Sequence, residues 1–459
     1  MKIKDIVKIK GGKRLPKGEN LQTIPNQHPY IRVRDMKGKY ISLNELEYVP
    51  DNVFPQIRNY IVNENDVIIS IVGTIGLVSI IDKKLDKASQ SENCAKLSGL
   101  DYIDAQYLYY YLISDFGQEE IRKVTVGAVQ PKLPLYGIEN IEIDWKTRNE
   151  RINIIFILES LDKKIELNTQ INQTLEQIAQ TIFKSWFIDF DPVHTKANAL
   201  ASGQTLEQAT QAAMSVISGK NTQELHRLQT ANPEQYQQLW EIAEAFPRGF
   251  DEEGVPWGWD SKKVGEVAKI VKGKSYKSSE LAPSKTALVT LKSFNRGGGY
   301  RLDGLKEYTG NYKEEQEVFA GDLIIAYTDV TQAADVIGKP AMVMSDSCYE
   351  HLVISLDVGV VRPKNEKHKY FLYCLAMTDT FQAHTHSFCT GTTVLHLGKD
   401  AVPSFEFILP DNKFIELFDE FVLPIFVRIN NIIEENKSLE KIRDELLPKL
   451  LSGEILNGN

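Results

Sequence analysis

Residues 157–186 read ILESLDKKIELNTQINQTLEQIAQTIFKSW, and their periodicity decides the architecture. Ile154, Leu158, Leu161, Ile165, Asn168, Asn172, Leu175, Ala179 and Ile182 step alternately by four and three residues, with charged and amide side chains at most other positions. That is a heptad seam on one helix face. The seam returns 264 residues later as Phe418, Val422, Ile425, Ile429, Ile432, Asn436, Leu439, Arg443 and Leu446, in identical phase and with Asn436 in the place of Asn172. A helix with one apolar stripe needs a partner, and the nearest one is the other copy. Leu161, Ile165, Asn172, Leu175, Ile429, Ile432, Asn436 and Leu439 are therefore expected to hold a helix pair together.

Each helix would be about 45 Å long from first to last seam residue at ~1.5 Å per residue. Asn at a seam position costs stability but fixes register, so Asn172 and Asn436 are expected to align the helices. Pseudo-twofold pairing of duplicated units favours an antiparallel arrangement. Pro424 stands where Ser160 stands in the first copy. An interior proline removes a hydrogen bond, so the second helix is expected to bend or break near Leu423.

Outside the helices the same repetition continues. KIKDIVKIKGGKRLP (2–16) faces KKVGEVAKIVKGKSYK (262–277), with Lys2, Ile3, Asp5, Gly12 and Lys13 opposite Lys263, Val264, Glu266, Gly273 and Lys274. Strands are expected at Tyr30–Arg34 and Ala287–Leu291, and short buried strands around Asp66–Ile69 and Asp322–Ile325. AQYLYYYLIS (105–114) and HKYFLYCLAM (368–377) each predict a short helix. The run from Tyr107 to Tyr111 could stack bases, but its equivalent placement in both halves favours half-buried core. Each half then reaches a Gly-containing loop, Val126–Pro134 or Cys389–Gly398, and a closing strand at Ile141 and Ile143 or Phe405 and Phe407.

The fold class is thus α/β (α+β): two duplicated domains, each followed by a long helix, with the helices paired as an antiparallel coiled coil. The boundaries fall at 1–150 for the first domain, 151–190 for its helix, 191–260 for a connector, 261–411 for the second domain and 412–459 for its helix. The connector has enough apolar residues to pack.

Composition narrows the function. A chain of 459 residues exceeds one ordinary core. No apolar run suits a signal peptide or a membrane span, and Cys94, Cys348, Cys374 and Cys389 are irregularly spaced, so a reducing cytoplasm is expected. The net charge of −9 is unevenly distributed: residues 1–39 and 261–306 each hold eleven Lys and Arg against three acids, a local +8. Two basic patches in an acidic chain suggest two polyanion contacts.

Catalytic motifs are missing. KGKSYK lacks the first glycine of a phosphate loop. A self-sufficient DNA methyltransferase would carry a D/N-P-P-aromatic motif, which DPVH (191–194) and NPEQ (232–235) both fail at the third place. HTHSFC (384–389) has no second Cys/His cluster to complete a zinc site. No cofactor is expected. Phosphate contacts need Lys, Arg and backbone amides, and base readout adds Asn, Gln, Thr and His. Those groups concentrate at Lys13, Arg14, Arg32, Arg34, Lys37, Gln130 and Lys132 in the first half. In the second they are Lys274, Lys292, Asn295, Arg296, Arg301, Thr392, Thr393 and His396.

Three segments carry a resemblance. LEQIAQTIFKSWFIDFDPV (175–193) looks like the central conserved region of the specificity subunits of type I restriction–modification systems. GVPWGWDSKKVGEV (254–267) is similar to the stretch that opens their second recognition domain, and LEKIRDELLPKLLSGEI (439–455) to their C-terminal region. The resemblance implies two target-recognition domains, each reading one half of a split double-stranded DNA sequence, spaced by two antiparallel helices. It implies a subunit that catalyses nothing and recruits two modification subunits, which methylate adenine with S-adenosylmethionine. Two restriction subunits, which translocate and cut DNA using ATP, complete the family's complex. Phe183, Trp186 and Phe187 would then serve either the modification subunits or internal packing. The alternatives are a helical scaffold without DNA readout, in which the basic patches would be dispensable, and a self-sufficient DNA methyltransferase, which would bind S-adenosylmethionine as an isolated chain.

Overall fold

The computed structural model describes residues 1–43, 46–127, 129–330 and 334–455; Ala128 of the first Gly-containing loop lies outside them. The chain divides into two compact units, one of residues 1–166 with 437–459 and the other of residues 167–436. Each unit contains part of both long helices, Arg148–Phe187 and Asn412–Ser452. At 40 and 41 residues these exceed the seam at both ends, and at ~1.5 Å per residue each is about 60 Å long.

The second helix is not broken at Pro424: helical structure is continuous from Asn412 to Ser452. Phe418, Val422, Phe426 and Ile429 anchor the turns on both sides of the proline in the core. Pro424 removes the usual donor to the Glu420 carbonyl, and Glu420 and Pro424 are both exposed residues of the helix.

In the first unit a four-stranded antiparallel sheet runs Lys8–Gly11, Cys94–Ser98, Val67–Ser70, Val78–Ile80 in spatial order. The second unit repeats it with Ala268–Lys272, Val358–Pro363, Leu323–Ala326 and Pro340–Met342. A smaller sheet recurs as well. Pro29–Ile31 pairs antiparallel with Glu47–Tyr48 and parallel with Ser89–Gln90; Thr286–Val289 pairs antiparallel with Lys306–Glu307 and parallel with His351–Ile354. The strands expected through Arg34 and Leu291 end earlier, because Val33–Asp35 and Leu291–Ser293 form 3₁₀ turns. Behind each large sheet lies a helix pair, Tyr102–Ile113 with Asp115–Val124, or Lys369–Ala376 with Asp379–Ser387. Gln118 donates to the carbonyls of Gly76 and Leu112, and Gln382 donates to those of Gly338 and Ala376. The same side chain thus closes the same gap twice.

The tyrosine run is core. Tyr107, Tyr109, Tyr110 and Tyr111 are buried with Ile154, Ile155 and Leu158 of the first long helix and Leu447, Leu450 and Leu451 of the second. In the second unit Ala179, Phe183, Trp186 and Phe187 pack with Phe371, Phe418 and Val422. Phe183, Trp186 and Phe187 therefore serve internal packing and leave nothing for an outside partner.

The helices run antiparallel within each unit. Asn168, nearly sealed from solvent, donates to Asn436 at 2.8 Å, while Asn172 donates to the Ile429 carbonyl at 3.4 Å. Asn436 thus meets Asn168, one seam step away from its sequence equivalent Asn172. Ile429 and Ile432 are buried, and Leu161, Ile165, Leu175 and Leu439 are half-buried.

Glu176 accepts from the fully buried Tyr373 hydroxyl. Burial lifts the Glu176 carboxyl above its usual range despite that bond. The folded chain then holds this proton to higher pH than the unfolded chain. The cost is present at neutral pH and is relieved as pH falls through the folded value toward about 4.5. Glu176→Gln should be at least as stable as wild type at neutral pH, and the difference should vanish near pH 4.5; urea denaturation at the two pH values measures it.

The connector forms four helices, Asp191–Ala201, Leu206–Ser218, Thr222–Ala231 and Pro233–Ala245. The buried Lys196 ammonium caps the last of them by donating to the carbonyls of Ala243, Glu244 and Phe246. These are the orphan acceptors a helix C-terminus leaves.

Candidate nucleic-acid interface

Strand register gathers the polar loops at one end of each large sheet. In the first unit Gly11 pairs with Ala95 and Ser70 with Cys94, so the loops after residues 11 and 70 emerge beside the turn before residue 94. Backbone bonds tie them together. Lys13 N–H donates to the Gln90 carbonyl at 2.9 Å and Ser91 N–H to Ile31 at 2.9 Å; Ile71 N–H donates to Asn93 at 2.8 Å and Leu133 N–H to Ile71 at 3.0 Å. The segments holding Lys13, Arg14, Arg32, Gln130 and Lys132 therefore converge on the turn at 91–93.

The second unit reproduces the linkage bond for bond. Lys274 N–H donates to Ile354 at 2.8 Å and Ser355 N–H to Val289 at 2.9 Å; Tyr327 N–H donates to Asp357 at 2.7 Å and Leu397 N–H to Tyr327 at 2.8 Å. Lys274, Lys292, Thr392, Thr393 and His396 sit on or beside these segments. A hairpin closed by the Phe294–Tyr300 bridge carries Asn295 and Arg296, and Gly299 N–H ties it to the Pro340 carbonyl at the same sheet end.

The charges divide into two kinds. Arg14 pairs with Glu92 at 2.6 Å, and Arg34 with Glu47 at 2.6 Å. Arg32 pairs with the same Glu47 and with Asp35, whose side chain is nearly buried. Arg301 grips Asp303 through two nitrogens and holds that carboxyl below its usual range. Arg296 lies 3.7 Å from Asp335. These arginines are partly neutralised and positioned inside their own domain. Lys13, Lys132, Lys274 and Lys292 have no ion-pair partner among the described residues, and all but the half-buried Lys274 are exposed. Lys37 and Gln130 are also exposed. His396 pairs with Thr328 across a short antiparallel ladder. Among the described residues no His, Cys, Asp and Glu cluster could hold a metal ion, and no helix is long and apolar enough to cross a membrane.

Sequence reasoning missed the groups that seat the first domain on its helices. Lys39, counted above as part of a basic patch, points inward: its ammonium contacts the Tyr110 hydroxyl at 2.9 Å and Asp162 of the first long helix at 3.4 Å. Tyr110 donates to Asp162 at 2.6 Å, and Arg443 of the second long helix donates to it at 3.1 Å. Burial lowers the Lys39 ammonium from its usual value, and Asp162 opposes that most strongly. The sequence signals were Arg443, a charge within an otherwise largely apolar seam, and Asp162 beside the other seam, neither of which names its partner.

A family model described as a type I restriction modification DNA specificity domain matches residues 1–177 and again residues 256–434. The chain belongs to this specificity family. Both matches take in one repeated domain and much of the helix after it. The type I restriction enzyme HindI specificity subunit of Haemophilus influenzae is 32% identical over 365 residues, spanning 76% of this chain and 77% of its own. The type I restriction enzyme MjaIX specificity subunit of Methanocaldococcus jannaschii is 24% identical over 469 residues, 99% of this chain and 92% of its own. A solved type I restriction–modification S subunit from M. genitalium aligns with 98% of this chain and 95% of its own, at 15% identity and a TM-score of 0.44. Membership accounts for the sequence pattern: this specificity family is matched twice in one chain, as the internal repeat requires.

Proposed function

We propose that this chain is the non-catalytic DNA-specificity subunit of a type I restriction–modification complex and reads a bipartite double-stranded target, one part per domain. The observation that carries the reading is the twofold occurrence of one loop cluster at the same end of two topologically identical sheets, with lysines that have no ion-pair partner among the described residues. The names of the HindI and MjaIX relatives support it. A scaffold without DNA readout would not need the same elaborate loop tie in both halves.

In this reading the long helices act as a spacer between the two readers. Two modification subunits supply S-adenosylmethionine chemistry, two restriction subunits supply ATP-driven translocation and cleavage, and the complex works in the cytoplasm where the DNA is. Methylome sequencing of cells with the modification subunit, with and without this chain, should show a split methylation motif only when the chain is present. Exchanging residues 1–150 for those of a relative should alter one half of that motif and leave the other intact. Absence of any motif, with the complex assembled, would sink the proposal.

A further inference from the structure

The internal repeat allows the two loop clusters to be compared position by position. Gly12 and Gly273 form the same elbow: a Cβ on either would lie 2.1 Å from a serine carbonyl, that of Ser91 or Ser355. No side chain fits there, so the elbow fixes the residue after it. That residue is lysine both times, Lys13 and Lys274, each with its N–H bonded to the neighbouring turn. The adjoining hairpins also share a frame. Val126 bridges Lys132 and Thr390 bridges His396. Gly127 (φ 95°) and Gly391 (φ 111°) take the left-handed conformation at the same place, where a Cβ would strike the Gln130 or Val394 carbonyl. Here, however, the tips differ: Val129–Gln130 in one hairpin and Thr393–Val394 in the other, with Val129 94% exposed and Val394 39%.

Resting on the DNA-recognition reading above, we propose that both domains divide their contacts alike. The elbow lysine, Lys13 or Lys274, holds a phosphate whatever the sequence, and the hairpin tip, Val129–Gln130 or Thr393–Val394, discriminates bases. The phosphate backbone is the same at every site, which suits a lysine that follows the same glycine elbow in both domains. Base edges differ, and the tips offer different chemistry to them. Valine methyls suit the thymine C5-methyl, glutamine pairs bidentately with adenine, and threonine bonds either way. A valine left almost wholly in water at the end of a glycine-locked hairpin contributes nothing to its own domain's core.

The test uses the chain assembled with its modification subunits, comparing wild type with K13A, K274A, K13R and the tip variants V129T/Q130V and T393V/V394Q. Binding to a duplex carrying the methylated motif is followed against salt concentration, and the methylome of each variant is sequenced. K13A and K274A should each reduce the slope of log affinity against log salt by about 0.9 and leave the motif unchanged, and K13R should restore the slope. Each tip variant should preserve the slope and change one half of the motif. A changed motif in K13A, an undiminished slope in both alanine variants, or tip variants that keep the motif would overturn the division while the wild-type motif stands. No sequence-dependent binding by wild type would overturn the DNA-recognition reading with it.

Discussion

Trp186→Ala should destabilise the second unit by about 3–5 kcal/mol, the cost of truncating a buried aromatic in a close-packed core. Trp186 is 2% exposed. Its ring centroid lies 5.4 Å from Phe246, 5.6 Å from Phe421, 5.9 Å from Phe187 and 6.4 Å from Phe418. These partners come from both long helices and from the end of the connector, so one truncation loosens three elements at once. Urea denaturation should show the loss, and limited proteolysis should cut the connector between 191 and 245 sooner than in wild type. Unchanged stability with impaired subunit assembly would instead make Trp186 a docking residue, contrary to its burial.

Asp162→Ala should cost the first unit about 3–5 kcal/mol, the usual penalty for removing one partner of a largely buried ion pair. The carboxylate is shared by Lys39, Tyr110 and Arg443. Its loss leaves a recessed ammonium, a recessed guanidinium and a buried hydroxyl with fewer acceptors. The pH dependence has a definite sign. Burial already holds Lys39 below its usual value of 10.5 and Asp162 is the chief counterweight, so the variant lowers the folded value further. The unfolded chain then binds more protons across the interval up to 10.5, and stability rises with pH there. The Lys39 share of the deficit should therefore shrink as pH is raised from neutral toward that value, as denaturation at a series of pH values would show. Asp162→Asn, which keeps an acceptor for Tyr110, should lose less. A deficit that stays constant with pH would remove Lys39 from the account.

Much of this was legible in the chain because periodicity survives in sequence. A seam in steps of four and three, repeated in identical phase, requires two amphipathic helices that each lack a partner. The tyrosine run could be placed in a core because its counterpart in the second half, HKYFLYCLAM (368–377), occupies the equivalent place. Loop contacts were less legible. Arg32 and Lys13 look alike in sequence, yet Arg32 is bound to Asp35 and Glu47 while Lys13 has no acidic partner among the described residues. Glu47 is 15 residues beyond Arg32, and only the pairing of Pro29–Ile31 with Glu47–Tyr48 brings them together.

The amino-acid sequence by itself determined that there are two repeated α/β domains, two long helices and no familiar catalytic motif, since these depend on residue type and spacing alone. The tertiary structure decided that Asn436 meets Asn168, that Pro424 is carried within an unbroken helix and that Lys39 turns inward to Asp162. Those outcomes depend on how two helices slide along a seam and what packs beside them. A seam that repeats every seven residues offers a similar apolar face at each step, so sequence spacing alone does not choose the register.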